Sequence, residues 1–238
     1  MASHLIQGRT VVMPVRVRDA EVCAAFYPVR ADAARAVLAY SGLDVVEALP
    51  GKAVCALLFV DYRDGDLGAY HEFGMAFLVR RPGVTGSQQG LADLRQAGLF
   101  VHWLPVDQEF TLEAGRALWG FPKELADIDL RLRSPYKRCV LRKDGRLVLD
   151  LLIRPGVPAP GLTAMAPPDV YTHRDGVTRH LPWSVRVRGA RARPGGALIR
   201  LGNHPIAKEL SELGLPRRAM FTATISHAEL VFGEAHAI

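Results

Sequence analysis

The sequence predicts an α+β domain made mainly of antiparallel β-strands, with the sheet closed into a barrel or cone and only a few short helices. Three observations carry this expectation. Short segments rich in valine, isoleucine, leucine and aromatics recur along the whole chain, several alternating apolar with polar residues. Turn signatures such as Pro50-Gly51, Asp64-Gly65 and Asp144-Gly145 fall between them. Helix-like patterns are confined to three stretches, near Asp32, Thr111 and His204.

Taken in order, residues 1–10 read as an N-terminal tail and residues 11–238 as one domain. Thr10–Val17 and Glu21–Val29 are strands by their valines and aromatics. Asp32 opens an alanine-rich helix that runs to Tyr40, with Gly42 as its stop. Val45–Leu49 and Lys52–Tyr62 are strands, and Ala69–Val79 resumes an apolar strand interrupted by His71 and Glu72. Arg80–Gly90 is a polar loop, Phe100–Val106 a strand and Thr111–Leu118 a helix. Ile128, Leu130 and Leu132 alternate with Asp129, Arg131 and Arg133, the pattern of a half-buried strand.

Tyr136–Arg142 and Arg146–Ile153 bracket Asp144-Gly145 as a hairpin. Pro155–Pro168, with five prolines, is a loop. Ser184–Arg188 and Ala197–Leu201 are strands. His204–Leu213 is a helix closed by Gly214 and Pro216, and Ala219–Phe232 ends the domain in strand.

Composition narrows the function classes. At 238 residues and 49% apolar content the chain can bury a sizeable core. No apolar run approaches the roughly 20 residues of a membrane helix. Met1-Ala2-Ser3-His4 lacks the pattern of a signal peptide. Cys23, Cys55 and Cys139 are odd in number and scattered, without metal-ligand spacing, so a reducing cytoplasm is expected. The net charge of +6 does not make a nucleic-acid site, because the arginines are spread. Their densest set, Arg186, Arg188, Arg191 and Arg193, has the spacing of a solvated strand face.

The chemistry is expected between Gly115 and Leu125, Gly-Arg-Ala-Leu-Trp-Gly-Phe-Pro-Lys-Glu-Leu. Lys123 follows two aromatics and a proline, and Pro122 pre-shapes the turn from which it leaves. The chain has few other lysines: Lys52, Lys137, Lys143 and Lys208. An ammonium group shut away from water by rings loses solvation, and the neutral amine it becomes attacks carbonyls to form a Schiff base. Trp119 and Phe121 are either that water-excluding wall or plain core. Arg116 has two possible roles, a bidentate fork on a substrate carboxylate or an anchor on the turn's carbonyls. His71 and Glu72 are neighbours on a strand and so point to opposite faces. Only one of them faces a given cavity, and no metal set forms around them. His204, just before Pro205, reads as a helix cap. His173, Arg174, Asp175, Arg179 and His180 read as a solvated polar loop.

Three motifs resemble the acetoacetate decarboxylase family. Gly115-Arg116-Ala117, then Leu118–Phe121, then Pro122-Lys123-Glu124-Leu125 is similar to the family's Gly-Arg-Glu, spacer and Pro-Lys-Lys-Leu. Gly68-Ala69-Tyr70-His71-Glu72 is similar to its Gly-x-Tyr-x-Glu strand. Ile199-Arg200-Leu201-Gly202-Asn203-His204-Pro205, a helix, a Leu-Pro and Ser226-His227-Ala228 match its C-terminal part.

The resemblance implies a decarboxylase-like barrel or cone in which Lys123 is the Schiff-base lysine and Glu72 a carboxylate in the same cavity. Arg116, Trp119 and Phe121 are then candidates to line the substrate. The family's second lysine is Glu124 here, and its motif glutamate is Ala117. A second cavity carboxylate falls near Leu57 and an N-terminal arginine near Ala20. The expectation is therefore a cofactor-independent, homo-oligomeric lyase for a small keto acid or related carbonyl compound, needing no metal, nucleic acid or membrane. An aldolase or dehydratase of secondary metabolism and a non-catalytic small-ligand-binding protein are the alternatives.

Overall fold

A computed structural model describes residues 2–83, 96–164 and 166–238, so most of the loop expected after Arg80 lies outside the described residues. The chain opens on a hairpin of β1 (Ser3–Ile6) and β2 (Arg9–Val12). It continues through β3 (Val15–Arg30), helix α1 (Ala31–Leu38), β4 (Glu47–Leu49), β5 (Lys52–Gly65) and β6 (Tyr70–Val79). Then follow β7 (Gly98–Val106), helix α2 (Glu109–Trp119), β8 (Lys123–Leu125), β9 (Asp127–Arg131), β10 (Lys137–Lys143) and β11 (Arg146–Ile153). The last part holds β12 (Val157–Pro158), β13 (Val170–Arg174), β14 (Val177–Leu181), β15 (Trp183–Pro194) and β16 (Ala197–Leu201). Helix α3 (Pro205–Glu212), β17 (Phe221–Phe232) and β18 (His236–Ala237) complete it.

One 12-stranded sheet forms the middle layer, in the order β12-β15-β17-β3-β5-β6-β7-β13-β14-β18, with β4 attached to β5 and β8 to β7. It is antiparallel except where β7 meets β13 and β8. Its end strands do not pair with each other, so the sheet is open rather than the closed barrel the sequence allowed, and a cone is the form that fits. A second sheet of four strands, β16-β11-β10-β9, is separate from the first. Strand alternation alone does not distinguish one closed sheet from two layered ones, because both bury every second residue.

Each face of the large sheet carries its own core. On one face Phe59, Phe73, Met75 and Phe77 pack with Leu149, Leu151 and Ile153 of the small sheet, Leu38 of α1 and Leu210 of α3. On the other, Val60, Tyr62, Leu104 and Val106 pack with Leu112 and Trp119 of α2. Ile6 and Val11 of the first hairpin join this second core. The segment expected as a tail thus holds β1 and the start of β2, and Ile6 packs onto the domain. The strands expected at Thr10–Val17 and Glu21–Val29 are divided differently: the break falls at Met13-Pro14, and β3 then runs unbroken for 16 residues.

The helices follow their local signals. Helix α1 ends in a short 3-10 turn with Gly42 in the left-handed region at φ 73°, where a side chain is disfavoured. Helix α3 starts behind His204, whose Nδ1 accepts from the Ile206 amide at 3.2 Å, so this histidine is a cap. The Asp144-Gly145 hairpin has both residues at positive φ, the two-residue turn that matches strand twist. Among the described residues no helix is long and apolar enough to cross a membrane.

The small sheet's role is testable. Leu151 is fully buried between the two sheets, and Leu151→Ala is expected to cost about 2–5 kcal/mol. In a thermal melt this reads as a fall of roughly 4–20 °C for a chain of this size. Leu49→Ala, at an exposed position, should stay within about 0.5 kcal/mol of the parent.

Candidate active site

Helix α2 and the turn after it place Lys123. The helix ends at Gly120 in the left-handed region, φ 65°, which lets the Gly120 amide donate to Arg116 O and the Phe121 amide to Gly115 O. Pro122 then sits at the centre of a three-residue turn closed by the Lys123 amide donating to Phe121 O at 2.8 Å. Thr172 Oγ1 donates to Trp119 O at 2.7 Å, and Arg116 Nε donates to Lys123 O at 2.9 Å. Through Nε, Arg116 thus ties the turn at a backbone carbonyl. Beyond the turn, β8 pairs in parallel with β7, Lys123 beside Leu104.

From this start the lysine side chain runs across the face of β7 toward β6. Two strand spacings, about 9–10 Å, separate β8 from β6, and a lysine and a glutamate reaching toward each other span that gap. Lys123 Nζ lies 2.7 Å from Glu72 Oε2, with the two side chains only 2% and 7% exposed. The remaining carboxylate oxygen, Oε1, accepts from the Tyr62 hydroxyl at 3.1 Å. The ring of Tyr62 stacks on Tyr70, centroids 4.4 Å apart. The Tyr70 ring in turn lies 5.1 Å from Lys123 Nζ, and that of Phe121 5.9 Å. A cation at Nζ is thus held by one carboxylate and two ring faces. Burial pushes the Tyr62 and Tyr70 phenols well up, and the Glu72 charge adds to this, so both rings keep their protons.

Gly115 explains why the lysine fits. A Cβ on this helical glycine would sit 2.5 Å from both Cδ and Cε of Lys123. The lysine stem uses the volume that any other residue would fill.

The sequence-predicted residues divide. Lys123, Glu72 and Phe121 come together. Trp119 is buried, but its Nε1 donates to Gly233 O at 2.8 Å and its ring packs on Phe121 and Phe232, so it backs the site. Glu124 takes the opposite face, as extended backbone requires: its Oε2 accepts from Trp103 Nε1 at 3.0 Å and lies 3.7 Å from Lys143 Nζ. His71 also faces away from Glu72. It pairs with Asp107 at 2.9 Å, which holds its imidazole more basic than usual. Leu57 belongs to the other core, whereas Ala20 lies in the core of the site. No cluster of metal-ligating side chains occurs among the described residues. Tyr62, Tyr70 and Gly115 carry the geometry without having been singled out as site residues. The signal for Tyr70 was its period-two spacing from Glu72; Tyr62 carried no local signal, because its place depends on the β5–β6 register.

The fold and this site define a class: an α+β protein with a lysine buried against a carboxylate beneath a large mixed sheet. The chain belongs to the acetoacetate decarboxylase (ADC) family, whose profile matches residues 6–236. The fold is similar to an acetoacetate decarboxylase from Legionella pneumophila, at TM-score 0.74 and 19% identity over 94% of this chain and 87% of that one. It is similar to an acetoacetate decarboxylase-like enzyme from Sphingomonas wittichii RW1, at TM-score 0.70 and 17% identity over 100% and 99%. It is also similar to the enduracididine biosynthesis enzyme MppR complexed with the condensation product of pyruvate and imidazole 4-carboxaldehyde, at TM-score 0.66 and 16% identity over 95% and 90%. No curated protein sequence matches the chain.

The glycine contact yields a prediction with opposing terms. Alanine is favoured over glycine inside a helix by about 0.5–1 kcal/mol, yet Gly115→Ala forces the lysine stem aside. The variant should fold and melt within a few degrees of the parent. Reductive alkylation of Lys123 by a ketone with borohydride, followed by peptide mass, should slow by about 10- to 100-fold. An unchanged rate would show that the stem has room to relax.

Proposed function

We propose that the protein is a lyase acting through a Schiff base on a small keto acid or related carbonyl compound, with Lys123 as nucleophile and Glu72 as proton relay. The observation that carries this reading is the 2.7 Å contact between two buried, oppositely charged groups, Lys123 Nζ and Glu72 Oε2. A carboxylate at that distance accepts the proton that the ammonium must lose before its nitrogen lone pair attacks a carbonyl carbon. The carbonyl π pair becomes a lone pair on oxygen, and a proton then moves from the nitrogen to that oxygen. Glu72 next returns its proton to the resulting hydroxyl, which leaves as water while the nitrogen lone pair forms the C=N bond. The product is a protonated imine, and Glu72 ends as it began, a carboxylate.

From the protonated imine, a carbon–carbon bond one atom away breaks with its electron pair flowing to nitrogen, giving an enamine. If the group lost is a carboxylate, it leaves as carbon dioxide. The enamine carbon then takes a proton, and water releases Lys123. The Tyr70 and Phe121 rings support the cationic imine, and burial keeps water from competing.

A second reading, aldol or dehydration chemistry at the same lysine, is supported by the groups around the site. The positions where the resemblance led us to expect charge hold Ala20 and Ala117, Leu57 lies in the other core, and Glu124 is turned to Trp103. In both readings the imine forms first, so one experiment tests them together. Incubation with pyruvate or acetoacetate and then borohydride should add the reduced ligand mass to the peptide holding Lys123, and Lys123→Arg should add none. An adduct on Lys137 or Lys208 instead, or no adduct with any ketone, overturns the proposal.

Carbon dioxide release separates the two readings. Acetoacetate turnover is expected to fall below the usual enzyme range of roughly 1 to 1,000 per second. A rate inside that range would show that the missing charges are dispensable and would favour decarboxylation.

A further inference from the structure

Glu72 has two oxygens, and only one is used by the lysine. The other is held by Tyr62, a residue on the neighbouring strand that no motif marks. The β5–β6 pairing sets Val60 opposite Glu72 and Tyr62 opposite Tyr70, so Tyr62 is the diagonal neighbour of Glu72 on the same face. The Tyr62 hydroxyl donates to Glu72 Oε1 at 3.1 Å, while Oε2 faces Lys123 Nζ at 2.7 Å. Its ring has no freedom to leave, being stacked on Tyr70 at 4.4 Å and almost fully buried.

We propose that Tyr62 is a positioning residue for the reaction: its phenol fixes the Glu72 carboxylate so that one oxygen, in its basic form, is presented to Lys123. This rests on the reading of Lys123 as the imine-forming lysine. Two physical effects act together. A carboxylate held at one oxygen cannot swing about its last bond, so the proton-accepting oxygen stays at the nitrogen. A donor hydrogen bond also favours the charged carboxylate over the acid in a dry site. The phenol is suited to this because burial and the neighbouring charge keep it protonated across the working range, so it remains a donor while Glu72 exchanges protons. Tyr62 transfers no proton itself; the lysine proton goes to Glu72 Oε2 and comes back from it.

The test compares Tyr62→Phe with the parent, since phenylalanine keeps the ring stack and removes only the hydroxyl. The readout is the rate of borohydride-trapped adduct at Lys123 with acetoacetate, over a series of ketone concentrations and pH values. The expected result is a maximal trapping rate lower by tenfold or more with half-saturation little changed. The acid limb of the pH profile should move to higher pH, because a carboxylate without its donor takes up a proton more readily. In a Glu72→Gln background the same substitution should have no further effect, since Tyr62 acts through Glu72.

Equal rates and an unmoved limb overturn the inference, as does a loss that adds fully to that of Glu72→Gln. If the parent itself forms no adduct, the reading of Lys123 fails first and this inference goes with it; the two failures are distinguishable. Should Tyr62→Phe not fold, 3-fluorotyrosine at position 62 keeps shape and hydroxyl and is the stronger donor. The limb then moves to lower pH, and a limb that stays in place overturns the inference.

Discussion

The contact between Lys123 and Glu72 is the constraint around which this half of the protein is arranged. Two opposite charges out of water are costly, and their attraction offsets that cost only when the geometry is good and the remaining polar atoms are satisfied. Here the second carboxylate oxygen has the Tyr62 hydroxyl, and the ammonium has the faces of Tyr70 and Phe121. Removing either ion leaves the other buried and unpaired, a loss on the order of 3–5 kcal/mol. The pair is therefore a poor device for holding a sheet together.

Supporting structure surrounds it. The turn from Trp119 to Lys123 is tied by Thr172, Arg116 and its own backbone, each through a carbonyl that helix termination leaves free or that the proline turn exposes. Gly115 leaves room for the lysine stem, and Gly120 supplies the left-handed step that turns the chain from helix to strand. The two cores divide the faces of the large sheet: one fills the space between the sheets, and the other contains the candidate site. Because adjacent strand residues alternate faces, a single step along the chain changes core. Glu124 and His71 show this, each next in sequence to a site residue and each on the far side of the sheet.

Much of this was legible in the sequence where the signal was local. The lysine turn announces itself through Gly-Phe-Pro-Lys, and strand parity alone separates Glu72 from His71. What escaped depends on register. A turn read at Asp64-Gly65 would set Leu57 opposite Glu72. In the structure β5 runs on through Gly65, the Gly68 amide closes the turn onto Gly65 O, and Val60 takes that place. An error of three residues reverses the face of every β5 side chain. In that register Tyr62 would face the other core; Leu57 was set near the site by the resemblance and not by register. The second sheet and the packed first hairpin were hidden for a related reason: which strands pair is decided by partners far away in the chain.

The indole of Trp119 hydrogen-bonds to the carbonyl of Gly233, and β3 pairs along much of its length with β17. The turn that aims the lysine is thus fastened to a segment synthesised more than a hundred residues after it, and the strand beside β5 finds its other neighbour only there. Contacts so distant in sequence carry a loop-closure cost that slows folding. A fragment ending before β17 carries the whole lysine motif but lacks these fastenings, so the motif by itself does not build the site.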